Sequence, residues 1–64
     1  MQNQSTISKK IKIVRRQNYL IISAYADDIE EFVESVQSMI AEGWQLNGGL
    51  SSSTSMLYQS LRKI

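Results

Sequence analysis

Cysteine and histidine are both missing from this 64-residue chain. Their absence excludes disulfides and the common zinc and transition-metal ligand sets. It also removes the side chains that most readily act as nucleophile or general base near neutral pH. No apolar run approaches the ~20 residues of a membrane-spanning helix. Met1 to Ser8 is polar and lacks the hydrophobic region of a secretory signal. It reads as a flexible arm ahead of a single domain over residues 9–64. The glycine-rich phosphate-loop pattern is absent, and the five serines between Ser51 and Ser60 have no histidine to activate them. An enzyme is therefore not expected and no cofactor is implied. The lack of cysteine fits a reducing cytoplasm.

Shortness adds a second constraint. A chain of about this length buries only ~60% of the surface its unfolded form exposes, so it is marginally stable alone. Disulfides, metals and oligomerisation are the usual remedies. With the first two excluded, self-association remains, and a homodimer or homotetramer is expected.

The formal net charge is only +1, but the charges are segregated. Lys9, Lys10, Lys12, Arg15 and Arg16 precede the central segment, and Arg62 and Lys63 lie at the end. All six acids, Asp27, Asp28, Glu30, Glu31, Glu34 and Glu42, fall between these groups. The acids read as the solvated face of a helix. The bases read either as protection for an edge strand or as an attraction for phosphates.

The helix itself is expected over Asp27 to Glu42. Ile29, Phe32, Val33, Val36 and Ile40 recur at helical spacing, with Met39 beside them. Asp27 followed by Glu30 suggests a capping box, and Gly43 suits the left-handed residue after the last turn. Ile11 to Tyr25 has strand composition. It forms either one bent strand with a bulge or two strands joined near Gln17-Asn18. The lack of a glycine there favours the bent strand. Trp44 to Ser51 reads as another strand, weakened by Gly48-Gly49, followed by a polar loop over Ser51 to Ser55. Met56 to Lys63 completes the set. The expected fold is α+β: a small antiparallel sheet with one amphipathic helix on one face, ordered β-α-β-β behind an extra basic strand segment.

Tyr19, Leu20, Ile21 and Ile22 do not alternate between apolar and polar, as a sheet with one wet face would require. On the last strand Leu57 and Leu61 point one way, and Met56 and Tyr58 the other. Both faces of the sheet are then partly apolar, while one helix covers only one. The second face calls for another subunit or a partner, most economically in a closed symmetric assembly.

Several residues are candidates for binding. Gly43-Trp44 reads as a helix stop and a core aromatic, with the indole N–H needing a partner. Gly48 and Gly49 either kink a strand or open a close approach to a ligand or subunit, with Asn47 offering an amide beside them. Tyr58 suits a core or interface position. Gln59, on a partly apolar strand, needs hydrogen-bond partners wherever it is buried. Arg15 and Arg16 offer planar forks for phosphate, and Tyr25 offers a stacking face.

The combination of Tyr19 to Ile22, the acidic helix, Gly43-Trp44, Gly48-Gly49 and Tyr58-Gln59 resembles a small bacterial and phage domain family of unknown function. The likeness runs from about Tyr19 to Arg62, leaving the basic segment outside it, and it implies a fold without an activity. In size and build the chain is also similar to small oligomeric phage proteins that act as sponges. These proteins sequester cyclic-nucleotide immune signals between subunits. That likeness implies a role in immune evasion inside a bacterial host, without catalysis. The ligand would be a small anionic nucleotide held by Arg15, Arg16, Tyr25, Trp44, Asn47, Gly48, Gly49, Tyr58, Gln59 and Arg62. The alternatives are a module that binds a host protein through its sheet face or edge, and a nucleic-acid binder using the basic strand. No membrane partner is expected. If the size argument holds, light scattering at micromolar concentration should return a mass above that of one chain; a monomer mass would refute it.

Overall fold

A computed structural model gives the architecture and describes residues 10–64. The expected N-terminal arm, with Lys9, lies outside the described residues. The chain is α+β, one helix on one five-stranded antiparallel sheet. Its strands are β1 (Ile11–Arg15), β2 (Tyr19–Tyr25), β3 (Gln45–Leu46), β4 (Ser51–Ser53) and β5 (Met56–Arg62), and α1 spans Ile29–Ala41. Laterally the order is β1-β2-β5-β3, with β4 also pairing with β5. Among the described residues no helix is long and apolar enough to cross a membrane.

The centre is the β2–β5 pair. Leu20, Ile22 and Ala24 alternate with Tyr19, Ile21, Ser23 and Tyr25, and the even-numbered set is buried. On β5 the buried set is Leu57, Gln59 and Leu61. The register puts Leu20 opposite Leu61, Ile22 opposite Gln59 and Ala24 opposite Leu57, so the two sets share one face. Phe32 and Met39 from α1 and Trp44 close over them, with Ile11 and Val36 packed at the margin. Each fully buried Leu, Ile or Phe contributes about 1.5–3 kcal/mol, and this core has few of them, which fits a marginal chain.

Ile11 to Tyr25 is two strands, not the single bent strand favoured from sequence. Arg15 pairs with Leu20, and the Arg16 N–H donates to the Tyr19 carbonyl at 2.8 Å. The connection at Gln17-Asn18 needs no glycine, because neither residue takes a positive φ. Asn18 is held from outside: its Nδ2 donates to the Lys63 carbonyl at 3.1 Å, and its own carbonyl accepts the Lys63 N–H at 2.9 Å.

The helix start also differs. Asp27 lies within a 3₁₀ turn, Ala26–Asp28, and the residue that caps α1 is Asp28, without a side-chain cap bond. The expected capping box is thus absent. The Ala26 N–H donates to the Ser55 carbonyl at 2.7 Å, which ties the entry to the β4–β5 turn and pulls Asp27 into the tight turn. Glu30 and Glu31 still occupy the first turn, where negative charge suits the helix dipole. The helix stop is as expected. Gly43 has φ +105°; its N–H donates to Ile40 at 3.0 Å, and the Trp44 N–H donates to Met39 at 3.1 Å. These are the paired bonds of a Schellman stop.

The expected Trp44-to-Ser51 strand is broken. Only Gln45–Leu46 pairs before Gly48, which takes φ +87° and ends the ladder. Ser51–Ser53, expected as loop, is a strand paired with Met56 to Tyr58. Its backbone satisfies part of the outer side of β5, and only Thr54-Ser55 forms the turn.

Three backbone positions lead to a stability test. Alanine at Gly43 would meet only the flexible end of Lys63, at 3.6 Å, so its cost is conformational. Gly43→Ala should lose about 1–2 kcal/mol. Gly49→Ala, in open space and without positive φ, should be near neutral. Thr54 is a β-branched residue at φ +48°, so Thr54→Gly should gain about 1 kcal/mol. Urea midpoints at one fixed protein concentration would check all three.

Candidate functional site

Among the described residues nothing covers the face of the sheet opposite α1. The described residues span 17 Å in their thinnest direction, room for one sheet and one helix. The register lays out this open face in rows. Gln45, Arg62 and Tyr19 form one row, and Ser60, Ile21 and Val14 the next. Ser51, Tyr58, Ser23 and Lys12 follow, then Ser53, Met56 and Tyr25. Val14, Tyr19 and Ile21 are about two-fifths exposed and Tyr25 is 61% exposed, so this is an apolar and aromatic surface in contact with water.

Two hollows mark it. One of about 320 Å³ is lined by Tyr19, Ile21, Gly49, Ser51, Tyr58 and Ser60. It combines two tyrosine rings and serine hydroxyls with the close backbone approach that Gly49 allows. The other, about 190 Å³, lies toward the β1 end and is lined by Lys10, Lys12, Ser23, Tyr25 and Met56, with Ala24. It brings two ammonium groups beside a phenol. Both hollows are shallow and neither encloses a ligand.

The residues picked from sequence divide among three places. Tyr25, Tyr58 and Arg62 are on the open face, and Gly49 borders it. Gln59 is turned to the other side and is 7% exposed. Its Nε2 donates to the carbonyls of Gly48 at 3.2 Å and Ser60 at 3.0 Å, which holds the Gly48 loop down over the core. Asn47 works with it. Its N–H donates to the Ser60 carbonyl at 2.9 Å, and its carbonyl accepts from Ser60 Oγ at 2.8 Å. Gln59, Asn47 and Gly48 thus shape the loop that carries Gly49 to the first hollow.

Arg15 and Trp44 are on the helix side, at the far end of α1. The Arg15 guanidinium lies 5.7 Å from the Trp44 ring centroid, and Lys63 Nζ lies 5.0 Å from it. Arg15 also reaches Glu42 at 3.6 Å. Arg16 stays in the β1–β2 turn, where its Nη1 donates to the Arg15 carbonyl at 2.9 Å. Arg15 is therefore on the face opposite to that of Arg62. Trp44 is 2% exposed, and its Nε1 is buried without a hydrogen-bond partner among the described residues.

Sequence reasoning left Lys10, Lys12, Tyr19, Ile21, Ser51 and Ser60 out of the site. The signal was present in the two-residue period of Tyr19, Ile21, Ser23 and Tyr25, and of Tyr58, Ser60 and Arg62. Reading it required knowing which face of each strand the helix covers. Comparison with protein-family models, curated proteins and solved structures finds no match for the chain. The likeness to a family of unknown function thus rests on the quoted motifs alone.

The orphaned indole N–H supports a direct test. An unpaired buried donor costs about 1–3 kcal/mol, so Trp44→Phe should change stability by less than about 1 kcal/mol, the lost contact area offsetting the relieved donor. Trp44→Ala should cost about 3–5 kcal/mol. Denaturant unfolding separates them, and a large loss for Trp44→Phe would mean that the N–H has a partner in solution.

Proposed function

We propose that this chain is a non-catalytic, self-associating binding protein that sequesters a small anionic ligand carrying an aromatic group. A nucleotide, including a cyclic nucleotide immune signal, is the class that fits. The observation that carries the reading is the open face, where Tyr19, Tyr25 and Tyr58 stand beside Lys12 and Arg62. Aromatic faces hold bases by stacking, and the guanidinium of Arg62 offers a planar fork for phosphate. A ligand that is to be retained needs most of its surface buried, and the two shallow hollows cannot do this alone. A second copy over or beside the face would complete the enclosure while covering apolar surface that one chain leaves wet. Such a protein would act by mass action in the cytoplasm of a bacterial host and would release its ligand unchanged.

A specific observation also favours the second reading, a module that docks a host protein. Ile29, Val33 and Ile40 along one flank of α1, with Leu46 and Leu50, are all exposed. The three helix residues share one side of α1, away from the open face. The nucleic-acid reading has less support. The cations of the basic segment are divided between the two faces, and Lys10 and Arg15 are engaged by Glu31 and Glu42.

Calorimetry against a panel of cyclic and linear nucleotides tests the proposal. Binding is expected for at least one, and Tyr58→Ala or Lys12→Ala should weaken it by about tenfold or more, the loss of ~1.4 kcal/mol. The recovered nucleotide should be chemically intact. No heat and no thermal shift across the panel would overturn the reading.

A further inference from the structure

β1 is a five-residue strand at the margin of the sheet, and among the described residues nothing pairs with its outer side. Such edges are usually blunted by proline, a bulge or charged side chains, lysine above all. Here the register with β2 runs without a bulge from Ile11 to Arg15, and the chain has no proline. Ile13 is 41% exposed toward the helix side, and Val14 is 44% exposed on the open face. The edge is thus flat, with apolar residues on both sides, and what blunts it is the charge of Lys12 and Arg15, which a pairing register must keep from facing like charge.

Its outward backbone groups can be identified. The Arg16 N–H points inward to Tyr19, and in an antiparallel ladder the groups alternate along the strand. The N–H and C=O of Ile11, Ile13 and Arg15 therefore face outward. Above them, between β1 and α1, runs a hollow of about 590 Å³ lined by Lys10, Ile11, Ile13, Glu31, Glu34, Ser35 and Ser38. The two short serines leave the space, and the two glutamates give it an acidic rim. Lys10 answers Glu31 at 3.8 Å, while Glu34 makes no ion pair among the described residues.

We propose that β1 pairs with β1 of a second copy, antiparallel about a two-fold axis at Ile13. The pairing rests on the self-association in the preceding reading and not on its ligand. In this register Ile13 faces its own counterpart, Ile11 faces the second copy's Arg15, and Lys12 faces Val14. All the outward groups are used once Arg16 Nη1 gives up the Arg15 carbonyl that it holds at 2.9 Å, for about six backbone hydrogen bonds. A two-fold axis at Lys12 would use fewer and would set like charges face to face, which is destabilising. The charges select the occupant: a strand entering under the acidic rim should be basic, and β1 is itself basic. The second copy's Arg15, opposite Ile11, comes to the end of the hollow where Glu31 and Glu34 lie, and the Ile13 pair fills its floor. The two sheets become one. Their open faces join across the axis, with Lys12 of each copy close to it, so that ligand-binding surfaces from both chains are contiguous.

The chain's lack of cysteine makes the test clean. Residues opposed in a hydrogen-bonded antiparallel pair have Cα atoms about 5.5 Å apart, within disulfide reach. Ile13→Cys should oxidise in air to a reducible covalent dimer. Val33→Cys, exposed on the other flank of α1, should not. Ile13→Lys, which sets two ammonium groups on the axis, should halve the mass seen by light scattering while the far-ultraviolet circular dichroism is unchanged. If that variant does not fold, the cysteine result decides. An oligomer that shows no cross-link at Ile13 overturns the edge pairing and leaves self-association standing, as would any other occupant of the edge, the chain's own first nine residues included. Equal cross-linking at Ile13 and Val33 overturns it too. A wild-type monomer overturns both readings.

Discussion

Leu20 opposite Leu61, Ile22 opposite Gln59 and Ala24 opposite Leu57 form the spine on which every other element hangs. The pairing joins segments far apart in the chain, with a loop-closure cost to match, and supplies Leu20, Ile22, Ala24, Leu57 and Leu61 to the core. β1 is added on its β2 side, and β3 and β4 on its β5 side. The helix crosses the face that this pair makes apolar. Because side chains alternate with period two, a slip of one residue between β2 and β5 would send Leu20, Ile22 and Ala24 to solvent and bring Tyr19, Ile21 and Tyr25 inward. The open face therefore exists as the complement of the core.

That coupling explains the division of labour among residues that look equivalent in sequence. Gln59 and Tyr58 are neighbours, yet one secures the Gly48 loop from below while the other faces outward beside Ser51 and Ser60. Arg15 and Arg62 are both strand arginines, but Arg15 lies over Trp44 at the helix end and Arg62 lies beside Tyr19 on the other face. A cation on a sheet acts on whichever surface the register allots to it. The basic segment is for that reason divided: Lys10 and Lys12 lie near Tyr25, while Arg15 lies over a buried indole that Lys63 also approaches.

Smallness recurs at each level. The helix is too short and too narrow to shelter Ile29, Val33 and Ile40 along with Phe32 and Met39. The sheet is too thinly covered to hide Ile21, and the outer side of its β1 edge is unpaired among the described residues. Each is a place where one chain runs out of partners. Together they make self-association the common physical reading of features that would otherwise need separate explanations.

Local chemistry decided much of this without tertiary help. The apolar stripe of α1, the left-handed stop at Gly43 and the alternation of Met56 to Arg62 depend on residues within a few positions of one another. They were legible in the order of the amino acids. So was the α+β class, since one helical period stands among strand periods. What the order could not show was decided by contacts distant in the chain. Asn18 makes a turn without glycine because Lys63 holds it. Asp27 loses its capping role because Ser55 captures Ala26. Ser51–Ser53 becomes a strand because β5 has an outer side to satisfy. The candidate site belongs to this second kind, because which side chains share a face depends on the β2–β5 register and on the side that the helix takes, and both arise only when segments far apart in the chain are packed together.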